Sequence, residues 1–222
     1  RFVCDSSIHG SRRVGGQQLP CGDKAYKVEM NSPKLEYSEM GKLQEVVRAL
    51  RHAGAVVNGS CGMHVHVDAS QHTPKSLKNA LSIMYSKEDI LFAALKVNPS
   101  RIASYCQPVD EPILEEIRKL PSGASMDQLK DRWYRGRDGS DYHYDQSRYR
   151  ACNLHSVFYH GTVEWRLFNS TLHAGEVKAN IILAMAISAQ AINQKYTQFK
   201  KTPLGDNPAF TFRTFLLRLG LI

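Results

Sequence analysis

Met63, Val65 and Val67 alternate with His64, His66 and Asp68 along residues 61–69. A period of two predicts a β-strand with one face on a core. Its open face then carries two imidazoles and a carboxylate in one row. Gly62, just before the first of them, lets another backbone or a ligand come close. The same alternation predicts a short strand over 1–8 and another over 25–31, where Tyr26, Val28 and Met30 oppose Lys27 and Glu29. Strands are also predicted over 148–159 and 162–169, joined as a hairpin at His160 and Gly161. In the second of these Glu164 and Arg166 fall on one face.

Helical spacing takes over between the strands. Leu43, Val46, Val47 and Leu50 predict an amphipathic helix over 38–52, closed by Gly54. Thr73 and Pro74 open a helix that runs to about Val97, buries Leu77, Ala80, Leu81, Met84, Leu91 and Leu95, and stops at Asn98 and Pro99. Ile113, Leu114 and Ile117 mark a short helix over 112–120, and Ser125 with Gln128 resembles a capping box opening the next one. The stretch 174–199 reads as a long helix, apolar nearly all round through 181–192 and hence buried. A last helix follows Asp206, Asn207 and Pro208. Residues 10–22 and 136–147 read as loops, the latter aromatic and basic enough to close over a ligand. The fold class is α+β. With no repeat, low-complexity tract or linker, 1–222 reads as a single domain.

Composition narrows the partners. Apolar residues make up 42% and charged residues 23%, the balance of an ordinary globular chain. A net charge of +8 favours an anionic partner such as ATP or a phosphorylated substrate. The charge is dispersed, with one short cluster over 132–137, which suits a solvated face or a phosphate site better than a nucleic-acid stripe. Five Cys without a Cys-x-x-Cys spacing point to a reduced, cytoplasmic protein without a structural zinc site. The apolar run 181–187 is too short to cross a bilayer, so no membrane partner is expected. Gly15 and Gly16 lack the strand, helix and Lys of a P-loop.

Three strands thus present chemistry: Glu29; His64, His66 and Asp68; Glu164 and Arg166. Imidazole and carboxylate are common ligands of divalent metals, and the planar fork of Arg suits phosphate. An ordinary salt bridge between Glu164 and Arg166 explains that pair equally well. The pattern alone leaves three readings open. One is phosphate chemistry with a metal, and the second is a zinc hydrolase built on His64, His66, Asp68 and Glu164, which needs three ligands and one open position. The third is a basic nucleic-acid-binding module, which the dispersed charge serves poorly.

Four segments carry a resemblance: Glu29-Met-Asn-Ser-Pro33, Gly62-Met-His-Val-His-Val-Asp68, Arg148-Tyr-Arg-Ala-Cys-Asn153 and Gly161-Thr-Val-Glu-Trp-Arg-Leu-Phe-Asn169. In this order they resemble the amidoligase group of the glutamate–cysteine ligase and glutamine synthetase superfamily, over roughly residues 5–194. The resemblance implies an antiparallel sheet curved into a half-barrel, with helices on its outer face and ATP with two or three Mg²⁺ in its concave face. It implies an ATP-dependent ligase that activates a carboxylate as an acyl phosphate for attack by an amine. Glu29, His64 and Glu164 look like metal ligands, and Arg166 like the contact to the transferred phosphate. His66 is carried over as a catalytic residue, Arg148 and Asn153 as nucleotide- or substrate-side residues. The partners would be small-molecule or peptide and protein carboxylates and amines, with no nucleic acid. The family's opening Gly-x-Glu-x-Glu strand has no counterpart before Asp5, so a missing first strand is a further expectation.

Overall fold

The computed structural model describes residues 1–222, a mixed α/β chain of seven strands and eight α-helices. Its strands form small antiparallel sheets, and its residues group into two compact units.

The first unit holds residues 1–63 and 169–182. In it β1 (Phe2–Cys4) pairs antiparallel with β4 (Val28–Met30), with Val3 opposite Glu29. Both strands are shorter than the alternation predicts. The Asp5 carboxylate accepts from the backbone and hydroxyl of Ser7 and turns the chain. Asp23 caps a 3₁₀ turn over Lys24–Tyr26, which delays entry into β4 until Val28. Tyr26 and Val28 are exposed, so the apolar face expected there does not form.

The expected loop 10–22 is a hairpin of β2 (Ser11–Val14) and β3 (Gln17–Pro20). Gly15 and Gly16, at φ 56° and 82°, make the tight turn that left-handed residues permit. Both strands are largely exposed, and no hydrophobic alternation announces them. Val47 of α1 (Met40–His52) packs with Ala174 and Val177 of α7 (Ala174–Asn193), joined by Leu43, Met63 and Ile181.

The second unit holds residues 64–168 and 183–222. Its sheet has the order β5 (Gly62–Asp68), β7 (Thr162–Asn169), β6 (Cys152–Asn153). Bonds from Ala69 N to Gly161 O and from Ser170 N to Cys61 O set β5 antiparallel to β7. In the β6–β7 ladder Asn153 stands opposite Glu164. The alternation read in β5 holds: Val65 is buried, while His64, His66 and Asp68 face the open side.

Helix α2 (Pro74–Ala94) starts from a Thr73–Ser76 capping box and buries Leu77, Leu81, Met84 and Leu91 almost completely. Its Asn79 amide donates to the carbonyls of Ala191 and Gln194 at 3.0 Å, which ties α2 to the end of α7. Trp165 Nε1 donates to Ser188 Oγ at 3.0 Å, seating the middle of β7 against the same helix. Helices α4 (Glu111–Arg118) and α5 (Met126–Tyr134) lie where the spacing predicts them, with the Ser125–Gln128 capping box in place. Helix α8 (Pro208–Arg218) starts from an Asn207 cap, as its sequence foretells, whereas α3 (Pro99–Ser104) has no counterpart in the sequence reading.

Two expectations fail here. Residues 148–159 are not a strand: two residues form β6, and α6 spans His155–His160. Gly161 has φ 73° and gives its N–H to Ser156 O and Val157 O, so it caps a helix rather than turning a hairpin. Helix α7 ends at Asn193 and is not buried all round, for Met185 and Ile192 are 38% and 41% exposed. No helix is long and apolar enough to cross a membrane. All five cysteines are free, with Cys106 and Cys152 buried.

Candidate functional site

The period of two in β7 puts the side chains of Glu164 and Arg166 on the same side of the strand, and there they pair. Arg166 Nη1 donates to Glu164 Oε1 at 2.6 Å, with each side chain only 4% exposed. From β6, Asn153 Nδ2 donates to Glu164 Oε2 at 2.5 Å. From β5, His64 Nδ1 lies 3.2 Å and His66 Nε2 3.6 Å from Oε1, on the side open to solvent. A buried, charged hub therefore looks out past two imidazoles that are about a third and two-fifths exposed.

The hub fixes its own protonation. Burial opposes the charge on Glu164, yet the hydrogen bond from His64 and the charge of Arg166 outweigh it, holding this carboxyl well below the usual range. Loss of water around the ring, reinforced by the charge of Arg166, pushes His64 down despite the nearby Glu164. His66 is likewise pushed down by burial, against the pull of Glu164. At neutral pH an ionised carboxylate therefore sits beside two neutral imidazoles.

A carboxylate accepts at about four positions, of which Arg166, His64 and Asn153 take three. About one accepting position of Glu164 is therefore left by these partners. No group of three or more His, Cys, Asp and Glu side chains is arranged to hold a metal, which applies equally to the zinc ligands and to the Glu29, His64 and Glu164 ligands expected from the sequence. Asp68 instead accepts from the backbone and hydroxyl of Ser70, at 3.1 and 2.6 Å.

Further groups stiffen Arg166. Its Nε donates to Tyr105 O at 3.1 Å. Arg101, itself buried, donates from Nη1 to Phe168 O at 2.6 Å and from Nη2 to Arg166 O at 2.8 Å. The Tyr149 ring lies within 5.8 Å of the Arg166 guanidinium and 5.6 Å of that of Arg148. Arg148 reaches the hub through this ring and not by a direct bond; its Nη1 goes to His143 O at 2.8 Å. The loop 136–147 thereby lends His143 to the rim, where His143 and His66 each pack against His160.

Of the residues read from the sequence, His64, His66, Asn153, Glu164 and Arg166 come together, and Arg148 stands one ring away. Glu29 lies in the first unit, exposed on β4. Arg101, Thr162, whose hydroxyl lies 2.8 Å from His66 Nδ1, and Ser156, 2.8 Å from Thr162 Oγ1, join the site without a sequence signal: an Arg in a short helix and two hydroxyls carry none of their own.

The family described as "Putative amidoligase enzyme" matches residues 1–188. Comparisons with curated proteins and with solved structures gave no match.

Proposed function

The chain belongs to the amidoligase family, and from that premise we propose that it is an ATP- and Mg²⁺-dependent ligase that joins a carboxylate to an amine. The observation that carries the reading is the buried Glu164–Arg166 pair, held by Asn153 and open to solvent only past His64 and His66. Such a pair offers a fixed guanidinium in a site of low dielectric, where a phosphate oxygen gains most from it.

When bound, ATP with Mg²⁺ supplies the phosphoryl group that activates the substrate carboxylate, and the amine then displaces phosphate. Glu164 and His64 would hold the metal. Arg166 neutralises charge on the phosphoryl oxygens, and its fixed position means that no reorganisation is needed at the moment of transfer. Arg148, stacked on Tyr149, adds a second cation on the rim. Asn153 keeps Glu164 aimed and leaves Oε1 for its partners on the open side. The sheet β5–β7–β6 belongs, in this reading, to the curved half-barrel of the superfamily.

Titration of the chain with a non-hydrolysable ATP analogue, followed by calorimetry with and without Mg²⁺, tests the proposal. Binding that requires Mg²⁺ is expected. Tight zinc uptake with no nucleotide binding would overturn the ligase in favour of a hydrolase.

A further inference from the structure

Helix α8 packs against α2, and a cleft of about 190 Å³ is left where the two meet. Ile90 and Phe215, both buried, line it together with Phe210, which is 68% exposed. Thr211 and Thr214 line it too, but their hydroxyls donate to Leu204 O and Phe210 O, each at 3.0 Å. Neither therefore has a hydrogen left for a ligand, and the walls act as apolar ones. An apolar cavity of about 150 Å³ takes up benzene, so this cleft has room for a single ring or a short chain of similar bulk.

Two cations share these walls. Lys87 and Arg218 both line the cleft. The partly buried Lys87 ammonium donates one hydrogen to Thr202 Oγ1 at 2.5 Å and passes 5.9 Å from the centre of the Phe215 ring. Burial and the charge of Arg218 push Lys87 below its ordinary pKa. The carboxylates next to it on α2 are spent elsewhere. Glu88 accepts from Lys201 and from the Val109 N–H, and Asp89 lies 3.6 Å from Lys201. Two like charges thus stand together over an apolar floor, an arrangement that an anion relieves.

We propose that this cleft binds a small organic carboxylate, its apolar body against Ile90, Phe210 and Phe215 and its two oxygens held by Lys87 and Arg218. A planar carboxylate offers one oxygen to each cation, and the guanidinium fork suits it. Phosphate would turn its remaining oxygens toward the rings, where nothing donates to them. An apolar lining with a few convergent polar groups is the usual build of a small-molecule site. No residue of the Glu164–Arg166 hub lines the cleft, and residues 202–218 lie beyond the 1–188 matched to the amidoligase family. The site is therefore separate from the proposed ligase centre and stands without it.

Benzoate is the probe, titrated into the ¹⁵N-labelled full chain and followed by backbone chemical shifts. Saturable shifts in the millimolar range are expected at residues 87–90 and 202–218. Benzamide, which keeps the shape without the charge, should bind roughly tenfold more weakly. Lys87→Met and Arg218→Gln should each weaken benzoate by a similar factor. Arg218 is exposed, so its replacement leaves the fold intact, and an unchanged urea midpoint verifies this. Acetate controls for the general attraction of a chain of charge +8 for anions. Equal shifts with acetate and benzoate, equal affinity for benzamide, or unchanged benzoate binding in both variants would overturn the proposal. Tighter binding of inorganic phosphate than of benzoate at these residues would overturn it too, since the apolar walls would then contribute nothing.

Discussion

Asn153 stands opposite Glu164 in the β6–β7 ladder and donates its side-chain amide across the strands to Glu164 Oε2 at 2.5 Å. Both residues are almost fully buried, so this bond replaces solvation that the oxygen lost on folding. Replacing Asn153 with Ala strips the donor and leaves a charged acceptor in the core. The expected loss is about 1–3 kcal/mol of unfolding free energy, read from urea denaturation, and Asn153→Gln should not recover it because the longer amide overshoots.

The Glu164–Arg166 pair behaves differently from a surface ion pair. Each partner is 4% exposed, so removing one charge strands the other. Glu164→Gln is expected to cost about 3–5 kcal/mol. Adding Arg166→Met to that variant should restore part of the loss, since a buried apolar side chain does not need a counter-charge. Urea melts of the single and double variants check the order, and a double variant less stable than Glu164→Gln would show that Arg166 earns its place through Tyr105 instead.

His72 gives the chain a dependence on pH away from the site. Its ring is buried, Nδ1 lies 3.1 Å from Ser76 Oγ, and Nε2 has no partner. Burial pushes its pKa below the ordinary 6.5, against a weaker upward pull from Asp68. The unfolded chain therefore takes up a proton before the folded one does. The stability that this neutral ring preserves is complete above pH 6.5 and declines as pH falls below it. The slope approaches about 1.4 kcal/mol per pH unit until the folded ring titrates. Urea midpoints between about pH 7.5 and 5.5 should fall less steeply in His72→Leu than in the unaltered chain, because His64, His66, His143 and His155, also pushed down by burial, continue to contribute.

What the sequence foretold, and what it hid, follows from where its signals arise. β5 and β7 were legible because each has a side against a core: the period of two sorts Val65 from His64 and His66. The hairpin of β2 and β3 has almost no buried face, so nothing in its hydrophobicity separates it from a loop; the paired Gly15 and Gly16 were its one local cue. Val157, Phe158 and Tyr159 have side chains that favour strands, yet Gly161 in the left-handed region closes a helix after them. The hub was half visible. Glu164 and Arg166 share a strand, and His64 and His66 share another, so spacing alone put each pair on one face. That Asn153 meets Glu164 depends on the register between two strands, and that Thr162 meets His66 depends on a turn, neither of which spacing along one segment encodes.

Arg101 has one more effect. β6 is only two residues long, and Ala151 gives its N–H to Gln107, so the edge of β7 beyond Trp165 has no strand to accept from. The guanidinium of Arg101 occupies the carbonyls of Arg166 and Phe168, where a longer neighbour would have donated. It works as a plug: two carbonyls that a longer strand would have bonded are satisfied by a side chain inside the core, where leaving them bare would cost the fold free energy.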